Sequence, residues 1–234
     1  MDTIKRLSSN PLVQEVSISA VVQALIWWIV GHQHVGTATV TIGTNGQLIL
    51  ASLFLGAAAY LVVKRHFLSR VGPILAAAAG ALIVLSLHHQ NLLLLIGLFP
   101  CVTLILMCIP KLDLQTEFGL IILGMGFALS FPIIFFYATH RFLSIQFLWE
   151  LMPLMASYWF FYEPEFITRP KNWLWTLITP LILAILLLSL PLSWRSITAI
   201  ILVIVTWFGR PFVANRYHFI MTTLLQLAFT LILY

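Results

Sequence analysis

The chain has 234 residues, 61% of them hydrophobic and only 8% charged, with a formal charge of +5 and a mean hydropathy of +1.04. Soluble domains are about 45–50% apolar and about 25% charged, so a water-soluble fold is excluded and an integral membrane protein is expected. A cleaved leader would be one apolar stretch ahead of a polar mature chain, whereas apolar runs here recur as far as Tyr234.

A helix crossing about 30 Å of hydrocarbon needs about 20 mostly apolar residues. Nine runs approach that length: 13–31, 47–63, 71–87, 92–109, 118–137, 142–162, 173–190, 194–209 and 219–234, the last two being short. The first carries Gln23. The loop after it, 32–46 (HQHVGTATVTIGTNG), is uncharged, and its Asn-Gly pair suits a tight turn, so a short hairpin or a cap is expected. The second and third runs hold "LGAAAY" and "AAAAGA". Small residues of that kind let helices approach closely in lipid, and these two are expected to pack as a hairpin. The fourth holds Cys101 and Cys108, seven apart. On a helix that separation is roughly 10 Å along the axis, beyond disulfide reach, so both read as apolar thiols. No long linker or repeat divides the chain. The fold expected is all-α, a polytopic transmembrane helix bundle of eight or nine spans in a single domain, 1–234.

Lys and Arg fix the expected orientation, because cytoplasmic loops hold an excess of them. With the N-terminus cytoplasmic, the inner segments hold Lys5, Arg6, Lys64, Arg65, Arg70, Lys111, Arg169, Lys171, Arg210 and Arg216, against Arg141 and Arg195 outside. The positive charge is therefore an orientation signal in a cell membrane, and no basic stripe suggests nucleic acid. Tryptophans agree, falling near span ends except Trp149.

An ionisable group inside the bilayer costs about 2.5–3.5 kcal/mol, so each needs a partner or a purpose. Glu150 lies about eight residues into the sixth run, roughly 12 Å deep, and Pro153 follows with the capacity to kink the helix. Gln23 and Gln226 fall at comparable depth. A Glu150-Gln23-Gln226 cluster would be either helix-binding glue around a protonated acid or a proton or cation site.

Of seven histidines, His32, His34, His88, His89 and His140 share the expected outer face, while His66 and His218 lie inside. Their i,i+1 and i,i+2 spacings in loops are not those of ligand sets on a helix, so no metal and no cofactor is expected. Gly-x-Ser-x-Gly, His-Glu-x-x-His, phosphate-cradling loops and Asp-rich magnesium motifs are all missing from the sequence.

Charge is concentrated in "YEPEFITRPKNW", 162–173, at the expected inner mouth between the sixth and seventh runs. Glu165 and Arg169 at i,i+4 would pair if helical, worth about 0.2–0.5 kcal/mol when exposed. Pro164 suits a first helical turn.

The run "PEFITR" at 164–169 resembles the Glu-Glu-x-x-x-Arg motif of the CPBP family, the Abi or CAAX-protease-like membrane proteins, and "HFIMT" at 218–222 resembles its His-x-x-x-Asn motif. Pro164 stands for the first glutamate and Thr222 for the asparagine, and the family's Phe-x-x-x-His is absent between them. The resemblance implies Glu165 as a base, Arg169 as its orienting ion pair and His218 as the second polar group. It implies either a weak intramembrane hydrolase or a catalytically silent relative that binds a membrane partner, and leaves open whether the protein is an enzyme. "RPKNWLW" at 169–175 is also similar to a motif of UbiA-type prenyltransferases, which need Asp-rich magnesium motifs, whereas this chain has only Asp2 and Asp113. Two other readings stand beside these: a transporter or permease subunit using Glu150, Gln23 and Gln226, and a structural or assembly subunit. The partners expected are the lipid bilayer and a membrane protein or a second copy of the chain.

Overall fold

A computed structural model describes residues 11–33, 42–167, 173–191, 193–210 and 218–234. Among these there are nine α-helices and no strand: α1 Pro11–Gly31, α2 Ile42–Lys64, α3 Val71–Leu87, α4 Asn91–Met107, α5 Glu117–His140, α6 Ile145–Phe166, α7 Trp173–Ser189, α8 Trp194–Gly209 and α9 His218–Leu233. Each predicted run forms a helix. The apolar residues run all round most of them rather than along one stripe, the pattern of helices with no wet face.

Three helical stretches, Pro11–Gly31, Gly46–Lys64 and Glu117–His140, are long and apolar enough to cross a membrane by length and composition. The apolar helices α3, α4, α8 and α9 are 16 or 17 residues long. Large apolar side chains such as Ile74, Leu85, Leu95, Leu181 and Val205 are more than half exposed, and such an exterior marks a surface for lipid or protein.

Two expectations at helix starts are corrected. The helix of α2 begins at Ile42 and runs through Asn45 and Gly46, so that pair makes no turn. A first helical turn has no intrahelical partner for its N–H groups and tolerates poor helix formers better than an interior does. Residues 34–41 of that loop, His34 included, lie outside the described residues. The sixth helix begins at Ile145 rather than 142, because the Ser144 hydroxyl caps it by accepting from the Phe147 N–H at 3.0 Å. Trp149 and Glu150 therefore lie in its first two turns, close to the start of the helix.

Consecutive helices pack in order, α9 closes back onto α1 and α6, and α1 also packs on α5. Side-chain bonds show the alternation: Ser86 of α3 meets Gln47 at the start of α2, while Tyr60 near the end of α2 meets Glu15 near the start of α1. One end of the bundle is here called the Gln33 end and the other the Glu163 end. As expected, α2 and α3 pair as a hairpin, with Gly72 so close that an added Cβ would sit 2.5 Å from Val62.

The core is aromatic. Fully buried Trp27 stacks on Phe131 with ring centroids 4.9 Å apart and meets Phe127 edge-on at 5.4 Å, locking α1 to α5. Gly31 allows this approach, since a Cβ there would lie 2.5 Å from Phe135 Cβ and 3.0 Å from the Pro132 carbonyl. Gly31→Ala is expected to lower stability by about 1–3 kcal/mol through overpacking, measured as unfolding of the detergent-solubilised chain; an unchanged midpoint would show that the α1/α5 contact is looser than described.

Candidate functional site

The polar residues of the Glu163 end are arranged by two prolines. A proline inside a helix has no N–H for the carbonyl four residues back. Pro164 thereby frees the Phe160 carbonyl, and the Arg210 Nη2 donates to it. Pro180 likewise frees the Thr176 carbonyl of α7, and the Trp207 indole N–H donates to it at 3.0 Å. The end of α8 thus closes backbone gaps in both α6 and α7.

Pro164 does not open a new helix, as expected from the sequence, but lies in the last turn of α6, which continues to Phe166. Glu163 and Glu165 consequently belong to that helix and not to a loop. The Glu163 side chain is only 2% exposed. Its Oε2 accepts from Thr179 Oγ1 at 2.6 Å and pairs with Arg210 Nη1 at 3.2 Å. The guanidinium also lies 4.1 Å over the Phe160 ring, a cation–π contact. Glu163 Oε1 and Arg210 Nε have no hydrogen-bond partner among the described residues.

On the same helix end, Glu165 Oε1 lies 3.6 Å from His218 Nδ1 at the start of α9, both side chains being largely buried. Phe219, the next residue, is held edge-on by Tyr60 at 5.0 Å and Tyr162 at 5.5 Å. A cavity of about 140 Å³ opens between α8 and α9, lined by Thr206, Arg210, His218 and Thr222 among apolar residues. Of the three residues singled out by the CPBP resemblance, Glu165 and His218 come together, and Arg169 lies outside the described residues. Arg210 and Glu163 are the site residues that sequence reasoning did not select.

Glu150 stands apart from the other two members of the second sequence-derived cluster. Gln23 is buried between α6 tyrosines, donating to the Tyr158 hydroxyl and accepting from Tyr162 at 3.2 Å. Those tyrosines lie eight and twelve residues beyond Glu150 in α6, about 12 and 18 Å along the axis. Gln226 is fully buried, and neither of its amide atoms has a partner among the described residues. Glu150 sits instead at the Gln33 end, where Gln146 donates to its carboxylate at 3.2 Å and Tyr234 donates to its backbone carbonyl.

The histidines at the Gln33 end pack with rings rather than with ligand geometry: His88 lies against His89, and His140 stacks on Phe136. Burial holds the His32 imidazole below its ordinary value, a tendency increased by nearby His140 and opposed by the bond to the Trp28 carbonyl. No group of three or more potential metal ligands occurs among the described residues. No protein-family model matches the chain, and no curated protein or solved structure matches it.

A buried ion pair that loses one partner leaves an uncompensated charge costing about 3–5 kcal/mol, whereas replacing both by apolar groups is often near neutral. Glu163→Leu is therefore expected to lower the unfolding midpoint sharply, and adding Arg210→Met to recover most of the loss. Additive losses in the double variant would contradict the pairing.

Proposed function

We propose that the chain is a polytopic membrane protein whose nine helices cross the bilayer with the Glu163 end in the cytoplasm, and that it is a CPBP-like hydrolase of membrane-borne peptide chains. The orientation is supported by the cation bias, since Lys64, Arg65, Arg70, Lys111 and Arg210 belong to the Glu163 end and Arg141 and Arg195 to the other. Helices of 16 or 17 residues fit a bilayer that thins locally to meet them, at a cost of fractions of a kcal/mol per Å.

The observation that carries the activity is the contact of Glu165 with His218, two residues far apart in sequence that match the surviving motif positions. A carboxylate 3.6 Å from Nδ1 favours the imidazole tautomer that carries its proton there, which leaves Nε2 as an acceptor. In this reading the roles of Glu165 and His218 differ from those the resemblance implies. His218, which lines the cavity, is the base, and Glu165, which touches His218 behind it, is a positioning residue. His218 takes a proton from water, the water oxygen attacks the peptide carbonyl carbon, the C–N bond breaks, and the proton passes to the departing amine nitrogen. Arg210 lines the same cavity and supplies the fixed positive charge toward the oxyanion, itself held by Glu163 and the Phe160 carbonyl.

Membranes containing the full chain or its variants, compared by sequencing newly formed protein N-termini, test this reading. His218→Ala is expected to lower cleavage about 100-fold or more, and Glu165→Gln to lower it by less while leaving the sites of cleavage unchanged. Equal cleavage by the His218→Ala protein, or no terminus dependent on the chain, would remove the hydrolase reading.

A further inference from the structure

The opposite end of the bundle carries a cavity that the hydrolytic reading does not use. It measures about 590 Å³ and is lined by Glu150, Arg195, Ser193, Ser196, Gln33 and Tyr234 among apolar neighbours. Cavities of about 300–1,000 Å³ are the size class of small-molecule sites. Glu150 comes from α6 and Arg195 from α8, so two helices place one charge of each sign on the wall of one space. Arg195 makes no ion pair among the described residues. An anion alone would be repelled by Glu150, and a cation alone by Arg195. A ligand carrying both signs complements the two walls.

The rim identifies the setting. Trp149 and Trp194 flank the two charged residues in sequence and are 66% and 84% exposed, with Ile145 at 76%. Exposed tryptophans at helix ends belong at the headgroup level of a bilayer. Both α6 and α8 start here under serine caps, Ser144 and Ser193, so the cavity lies where the helices leave the apolar region.

We infer that this cavity binds a zwitterionic phospholipid headgroup, its ammonium against Glu150 and its phosphate against Arg195 and the Ser193 hydroxyl. This rests on the chain lying in a membrane and is independent of the hydrolytic centre, so either can fail without the other. The shared chemistry is an ammonium and a phosphate joined by a short link, which a soluble phosphoethanolamine also offers.

The test is titration of the full chain, purified in detergent, with palmitoyl-oleoyl phosphatidylethanolamine and the matching phosphatidylglycerol, read by native mass spectrometry. The wild type is expected to prefer the ethanolamine lipid about tenfold, and Glu150→Gln to bring the two within about twofold. Arg195→Gln is expected to weaken both lipids and Arg195→Lys to keep the preference, with unfolding midpoints showing that the variants remain folded. Displacement of the lipid by free phosphoethanolamine assigns the site to a soluble zwitterion, and retention of the lipid assigns it to the headgroup. Equal affinity for the two lipids in the wild type, a preference unchanged by Glu150→Gln, or no retention of either lipid would overturn the proposal.

Discussion

A guanidinium and a carboxylate that leave water together need each other and polar neighbours, and the Glu163 end of this bundle is organised around that demand. Arg210 meets Glu163, the Phe160 carbonyl and the Phe160 ring at once. The carbonyl is available only because Pro164 cannot bond it. The same carboxylate oxygen that meets Arg210 also accepts from Thr179 of α7. One cation therefore ties α6, α7 and α8 together at a point where low dielectric makes each lost contact expensive.

That junction also sets where the remaining polar groups stand. With α6 prolonged to Phe166, Glu165 falls two residues past Glu163 and meets His218 rather than solvent. Tyr60 and Tyr162, held edge-on to Phe219, fix the first turn of α9 against α2 and α6. The cavity between α8 and α9 is the gap left beside this anchored end, and its two basic side chains arrive from different helices. At the Gln33 end the logic is different: Glu150 and Arg195 share a wall without the local proline device, around a larger and more open space.

The helices were legible in the sequence because apolar runs of the right length are separated by charges, prolines and small polar residues, and propensity and burial agree. The boundaries that moved have one cause each. Glu163 and Glu165 read as loop residues by their charge, yet a buried partner makes a carboxylate acceptable inside a helix end. Glu150 read as deep because 142–144 are apolar enough to extend the run, while the Ser144 cap ends it. Partners across the bundle were illegible, since Arg210 lies 47 residues from Glu163 and no local spacing encodes that distance. A partial signal was present nonetheless. Pro164 and Pro180 each announce a freed carbonyl four residues upstream, and a helix ending in Trp207 and Arg210 carries donors suited to both. The His218 position was legible only through the motif remnant, and the separation of Glu150 from Gln23 and Gln226 was hidden by depth arguments that ignore where helices start.

The convergence of Glu165 and His218 is the claim on which the functional account turns. Paired-cysteine trapping measures it directly: Glu165→Cys with His218→Cys, in a chain whose Cys101 and Cys108 are replaced by alanine, oxidised in its native membrane. The account predicts rapid formation of an internal disulfide by this pair, and none by Glu150→Cys with His218→Cys. Failure of the first pair to cross-link, or equal cross-linking by both, would contradict it.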